Sequence, residues 1–288
     1  MRRLIKTALN SVLPKQITQA RTLEGVCDLA TSEAERATVV DTVIERLVRP
    51  QHQAAFWGDR LLTLDKAAGF TRDPAFKTAL ADTNSNTGQN QYASPDGISW
   101  RFHTLIWAAQ SCLNLPGDFV ECGTYRGDMS WVLSEVVDIQ GAGKKFYLYD
   151  TFAGFDPRYS SPEDFPHSDG FFSMVDASYR DPTNEMHVRG RFAAKPYVVV
   201  TKGSVPDILA EVSPERISFL HLDLNSAAAE RGALEVLFDR LSPGGIIVFD
   251  DYGWAVHFKQ KEAIDTFMNA KGIPVLELPT GQAMSIKR

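Results

Sequence analysis

From residue 118 onward the chain alternates short apolar runs with amphipathic segments of helical length, and few folds tolerate that rhythm. "DFVEC" (118–122), "KFYLYD" (145–150), "YVVVT" (197–201), "ISFLHLDL" (217–224) and "GGIIVFDD" (244–251) read as strands. "GDMSWVLSEVVDI", "VPDILAEV", "AAAERGALEVLFDRL" and "QKEAIDTFMNAKG" read as helices around them. Apolar strands alternating with helices predict a parallel sheet covered on both faces. The last two runs, "PVLELP" and "QAMSIKR", leave no room for a helix between them and must pair as an antiparallel hairpin at the sheet edge. The expected fold is α/β: a doubly wound, mostly parallel, seven-stranded sheet with a C-terminal antiparallel hairpin.

The first 97 residues are expected to form a helical N-terminal extension and linker, with the main domain over 98–288. Residues 1–90 look helical and polar, and Val39, Val40, Val43, Ile44 and Leu47 fall on one helical face. "ADTNSNTGQNQYASPDG" (81–97) reads as a linker or loop. A helix is expected from Ser99 to Leu115 through Phe102, Leu105, Ile106 and Ala109. In it Trp100, Arg101 and His103 read either as helix packing or as groups that close a pocket. The opening "MRRLIKTALNSVLPKQ" is too polar for a secretory signal and suits an amphipathic helix.

Charge narrows the function classes. A net charge of −6 with no polybasic field argues against nucleic acid as partner. No apolar run approaches the ~20 residues of a membrane span, so a soluble chain is expected. Cys27, Cys112 and Cys122 have neither metal-ligand spacing nor a disulfide pattern, which suits a reducing cytoplasm. Residues 151–195 break the alternation with a long loop carrying Phe152, Phe155, Tyr159, Phe165, Phe171, Phe172, Tyr179 and Phe192. A loop this long and aromatic reads as a lid over a substrate, as a contact between subunits, or as both. A homo-oligomer is expected.

Two strand ends carry the chemistry. In open parallel sheets ligands sit outside the carboxyl ends of the strands, where strand order reverses. The first strand ends in "VECGTYRGDMSW" (120–131), in which Gly123 permits a tight turn and Gly127 lets the next helix begin close to the strand. The free N–H groups of that helix suit a carboxylate or phosphate. The spacing is E-x-G-x-x-x-G, not the G-x-G-x-x-G of dinucleotide folds. The second strand ends in Asp150, an acceptor for a ribose diol, which fits NAD or S-adenosylmethionine. The glycine spacing and the terminal hairpin favour S-adenosylmethionine.

The second site is acidic. Asp223 ends the fourth strand, and Asp250 and Asp251 end the fifth, so three carboxylates meet at one sheet edge. They repel one another unless protonated or bridged by a cation. An all-oxygen set suits Mg²⁺ or another hard divalent ion. Such an ion would lower the pKa of a coordinated hydroxyl. The alternative reading makes one aspartate a cap and leaves the others solvated.

"GDFVECGTYRG", "LYDTF.GF", "ISFLHLDL", "LSPGGIIVFDDYG" and "LPTGQ" together resemble the macrocin O-methyltransferase family, from about Gly117 to the C-terminus. The resemblance implies a class I methyltransferase fold, Rossmann-like, that transfers methyl from S-adenosylmethionine to a hydroxyl, often on a sugar of a natural product. It implies that Glu121, Gly123, Tyr125 and Gly127 line the methionine end of the cofactor. Asp150 would bind the ribose, Thr151 and Phe152 would lie beside the adenosine, and "TKGS" (201–204), with Ser204, near the adenine. Asp223, Asp250 and Asp251 match the family's metal ligands, and Asp223 and Asp250 are thereby catalytic candidates. Many relatives read "LDGD" where this chain reads "LDLN", so Asn225 stands where a second acid has been considered a base. His257 is the replacement candidate; otherwise it is a surface histidine at a helix start. His221 reads as a satisfied core histidine. The acceptor is expected to be a sugar hydroxyl, with a catechol-type phenol second. Two rivals make opposite forecasts: a nicotinamide-dependent oxidoreductase needs a glycine triplet that is absent, and a non-catalytic scaffold predicts loss of the acids that are present.

Overall fold

The computed structural model describes residues 54–59, 61–87, 97–165 and 170–288. The chain divides into two compact units, one of residues 1–72 and 89–99, the other of 73–88 and 100–288. In the first unit, β1 (Ala54–Gly58) and β2 (Leu61–Leu64) form an antiparallel hairpin. Gly58 pairs with Leu61, and Asp59 leaves the first strand with φ 51°. This corrects the expectation of helix throughout 1–90. The proposed face of Val39 to Leu47 and the amphipathic start lie outside the described residues.

The second unit begins with α1 (Pro74–Thr87). Residues 81–87, expected to be linker, continue this helix. The Asp73 carboxylate accepts from the Phe76 amide at 2.8 Å, so Asp73 caps the helix start. α2 (Ser99–Ser111) follows where the sequence placed it, ending short of Leu115. The expected alternation then appears as β3 (Asp118–Cys122), α3 (Asp128–Val136), β4 (Phe146–Asp150), β5 (Val198–Lys202), β6 (Ile217–Leu222) and β7 (Leu241–Phe249). The seven-stranded sheet closes with β8 (Leu276–Glu277) and β9 (Ala283–Ile286) in the order β5-β4-β3-β6-β7-β9-β8. The first five strands are parallel and β9 runs antiparallel to both β7 and β8, as expected. Val120, Leu220, Ile247 and Phe249 are fully buried or nearly so, which is why these strands read as apolar runs.

The segment 151–195 is not the loop that the sequence suggested. It carries α4 (Phe171–Tyr179) and α5 (Asn184–Arg191). Phe155 packs on Phe165, Phe172 and Tyr179 with ring centroids 5.3, 5.3 and 5.4 Å away. The aromatic residues thus form a small core of their own. α6 (Asp207–Glu211), α7 (Ala227–Leu237) and α8 (Phe258–Ala270) complete the fold. No helix among the described residues is long and apolar enough to cross a membrane.

Candidate active site

The chain passes from β3 outward to β4 and β5, then returns to lay β6 and β7 on the other side of β3. Strand order therefore reverses between β3 and β6, where their carboxyl ends diverge. Parallel hydrogen bonds continue past both strands: Asp223 N–H donates to Cys122 O and Asp250 N–H to Leu222 O, each at 2.9 Å. Those bonds set Gly123, Asp223 and Asp250 at one edge. Gly123 has φ 90°, and a Cβ there would lie 1.8 Å from the Asp223 carbonyl oxygen. The glycine is demanded by the approach of two strand ends as well as by the turn.

Asp150 ends β4 with its carboxylate facing the β3 turn. Its Oδ2 accepts from the Tyr125 amide and its Oδ1 from the Phe152 amide, both at 2.7 Å. Tyr125 and Phe152 each adopt φ 48°. Burial pushes the Asp150 pKa up and these amide bonds oppose it; the net direction is up. The Thr124 amide also hydrogen-bonds this carboxylate. A carboxylate has about four acceptor positions, so the three amides leave room for a ribose hydroxyl. Tyr125 stacks edge-on against Tyr179 of the insertion at 5.0 Å. Thr151 Oγ1 donates to Gly154 O at 2.5 Å, and Ser204 hydrogen-bonds Asp156. Gly127, with φ 78°, lies under the insertion: a Cβ there would meet Phe192 at 3.1 Å.

Glu121 is a residue of β3. It is buried, accepts from Ser130 Oγ, and its Oε2 lies 3.0 Å from His221 Nδ1. His221 Nε2 in turn lies 3.6 Å from Asp250 Oδ1. Burial alone would lower the His221 pKa. Hydrogen bonds and charge from Asp250 and Glu121 overcome that and raise it to about 10. His221 is a core histidine, as the sequence suggested, with Nδ1 on Glu121 and Nε2 left without a hydrogen bond.

The three aspartates come together as the strand ends require. Carboxylate oxygens of Asp223, Asp250 and Asp251 lie within 4.8 Å of one another. This all-oxygen set fits a hard divalent cation. Protein groups already offset part of the charge: Arg101 Nη1 lies 2.5 Å from Asp250 Oδ2 and 3.3 Å from Asp251 Oδ1. Gln282 Nε2 donates to Asp250 Oδ1 at 2.8 Å. Burial would raise Asp250, but Arg101 and His221 hold it well below the ordinary carboxylate range. Asp223 goes the other way, raised by burial and by the charges of Asp250 and Asp251. Asn225 Nδ2 donates to Asp223 Oδ1 at 3.3 Å, so the residue that replaces an acid partners one instead.

His257 lies buried in the turn before α8, not on the surface. Its Nδ1 has no hydrogen-bond partner, and its charged form would favour ionisation of Asp251. Phe165 packs edge-on against its ring at 4.9 Å. The insertion is also tied to this side of the sheet: Ser226 Oγ donates to Tyr159 O at 2.6 Å, and Asp164 Oδ1 accepts from the Ala227 amide at 3.1 Å. It therefore reaches from the Asp150 corner to the aspartate cluster. Sequence reasoning missed Gln282 and Glu230, and saw in Arg101 no more than packing or closure. Glu230 is buried, accepting from Gln260 Nε2 at 3.0 Å.

A family model described as macrocin-O-methyltransferase (TylF) matches residues 101–277. The 8-demethyl-8-(2,3-dimethoxy-alpha-L-rhamnosyl)-tetracenomycin-C 4'-O-methyltransferase of Streptomyces olivaceus is 27% identical over 159 residues, 53% of this chain and 60% of that protein. Mycinamicin III 3''-O-methyltransferase of Micromonospora griseorubida is 25% identical over 161 residues, 53% of this chain and 62% of that one. The matched part thus spans about three fifths of each relative. Among solved structures, the O-methyltransferase NovP superposes with a TM-score of 0.54 at 17% identity, covering 65% of this chain and 79% of that one. The calicheamicin methyltransferase CalS11 gives 0.50 at 19% identity, covering 75% and 88%. At those identities the likeness is one of fold.

Proposed function

Because the chain belongs to the macrocin O-methyltransferase (TylF) family, we propose that it transfers a methyl group from S-adenosylmethionine to a hydroxyl of a sugar or other small natural product, assisted by a divalent cation. The observation that carries this reading is the pairing of two sites at one sheet edge: Asp150, whose carboxylate keeps an acceptor position beyond its three amide donors, and the Asp223, Asp250 and Asp251 cluster.

S-adenosylmethionine, when bound, supplies the electrophilic methyl. A divalent cation, when bound, lowers the pKa of a coordinated hydroxyl and fixes its position. The rest belongs to the chain. Asp150 accepts from the ribose hydroxyls while Tyr125 and Phe152 hold its carboxylate in place. Gly123, Gly127, Thr151 and Ser204 shape the rest of the cofactor site. Glu121 lines the methionine end of the cofactor, held by Ser130 and His221. Asp223, Asp250 and Asp251 hold the cation, with Asn225, Gln282 and Arg101 fixing their orientation. The aromatic insertion excludes water from the acceptor. His257 Nδ1 is one of the buried atoms without a hydrogen-bond partner, and we assign it the proton leaving the acceptor hydroxyl.

The expected assembly is a homo-oligomer, for which the exposed Met174 of α4 and Phe258 of α8 offer apolar surface; light scattering tests it. The cytoplasm is the compartment that suits the free, buried thiols of Cys112 and Cys122. Activity is tested by offering labelled S-adenosylmethionine and a panel of glycosides and catechols, with mass spectrometry to detect one added methyl. Transfer should require a divalent ion and fail in Asp250→Asn. Undiminished transfer by that variant in chelator would remove the metal from the account.

A further inference from the structure

A second cluster of polar groups lies apart from these acids. α5 packs on the start of α3, where Gly127 lets Phe192 approach closely. Beside that contact is an open cleft of about 590 Å³ lined by Arg126, Trp131, Met186, His187, Arg191 and, from α1, Asp82. None of Asp150, Asp223, Asp250, Asp251 or His257 lines it. The Arg191 side chain is only 5% exposed. Its Nη1 donates to Asp128 Oδ1 at 2.6 Å and to Arg126 O at 3.2 Å, and its guanidinium lies 5.0 Å over the Trp131 ring. Its Nε and Nη2 are buried with no partner.

The same is true of Arg126 Nε, Trp131 Nε1 and His187 Nε2. Three of these residues carry obligate donors, and an unpaired buried donor is costly, more so when it is charged. Native proteins leave few such groups without a water or ion to receive them. The four obligate donors in the walls of one cleft, Arg191 Nε and Nη2, Arg126 Nε and Trp131 Nε1, point to an absent acceptor. Burial lowers the His187 pKa; the positive charges of Arg126 and Arg191 lower it further, and Asp181 opposes them. Asp128 is taken up by Arg191, and Asp82 has interactions of its own.

We infer that this cleft binds a phosphate group, received by the guanidinium groups of Arg126 and Arg191 and the indole N–H of Trp131. Planar guanidinium forks suit a tetrahedral oxyanion with several acceptor oxygens, and a single-point cation would not replace them. The source is a free phosphate ion or a phosphate ester on a small molecule.

Calorimetry of the full chain in a phosphate-free buffer tests this, with inorganic phosphate as probe. The expected result is saturable binding at one site, accompanied by a change in fluorescence that Trp131→Phe removes. Arg191→Gln also loses the ion pair to Asp128 and risks the fold. Arg126 makes no salt bridge among the described residues, so Arg126→Gln is the deciding variant. Its affinity for phosphate should fall about tenfold or more, the loss expected for one charged hydrogen bond. Glucose 1-phosphate in place of phosphate separates the two sources: tighter binding of the ester assigns the site to a phosphorylated small molecule, and tighter binding of phosphate to the free ion. Absence of saturable binding, an unchanged affinity in Arg126→Gln, or equal affinity for acetate would overturn the proposal.

Discussion

At the scale of single residues, charge sets the behaviour of this protein. Arg101 is buried against Asp250 and Asp251, and a buried cation that is removed leaves its partners uncompensated. Arg101→Gln should lose about 3 kcal/mol of stability, and millimolar Mg²⁺ should restore part of it if the aspartates hold a cation. Denaturant melts with and without the ion give the comparison; no recovery would speak against a cation there. Glu230 predicts a pH effect. Its folded pKa is raised far above 4.5 by burial and by the charge of Asp251. The folded state therefore keeps its proton where the unfolded state has lost it. By linkage, stability falls as pH rises from about 4.5 toward the raised value. Glu230→Gln keeps an acceptor for Gln260 and should flatten that fall, read from melting temperatures across pH. The aspartates themselves were legible in the sequence because the apolar strands stop at them. Arg101 and Gln282 were not: they reach Asp250 from 149 and 32 positions away, and no local pattern marks such a meeting.

At the scale of elements, the parallel strands were legible for a physical reason: both their faces are buried, so each reads as an unbroken apolar run. The hairpin over 54–64 was hidden by its apolar neighbours and its short loop, although Gly58 and Asp59 between two apolar runs are a turn signal. In the insertion, α4 and α5 were hidden because aromatic content dominated the reading. Its packing gives a prediction. Phe165 is nearly buried between Phe155, Phe172 and His257. Phe165→Ala should cost about 3 kcal/mol and hasten proteolysis within 151–195, seen by mapping the fragments. The junction of β3 and β6 is less forgiving. Gly123→Ala adds a Cβ onto the Asp223 carbonyl and strains a positive φ. The expected loss is roughly 3 kcal/mol or more, with most of the protein recovered insoluble. A stable Gly123→Ala protein would mean that the two strand ends are not held this closely.

At the scale of the whole molecule, the sheet order explains why two chemistries share an edge. Reversal between β3 and β6 opens a crevice, with Asp150 on one side and the aspartate cluster on the other. Glu121 and His221 link the two beneath the surface, since His221 touches Glu121 at 3.0 Å and faces Asp250 at 3.6 Å. The insertion spans both from above. A methyl donor on the Asp150 side and an ion-held hydroxyl on the other would thus meet over β3 and β6. The donor half can be tested without knowing the acceptor. Titrating S-adenosylmethionine into the full chain by calorimetry is the most direct measurement. The account predicts one saturable site per chain, weakened about tenfold or more in Asp150→Ala by loss of the ribose acceptor. A wild-type chain that gives no binding heat, or an Asp150→Ala variant that binds equally well, would contradict it.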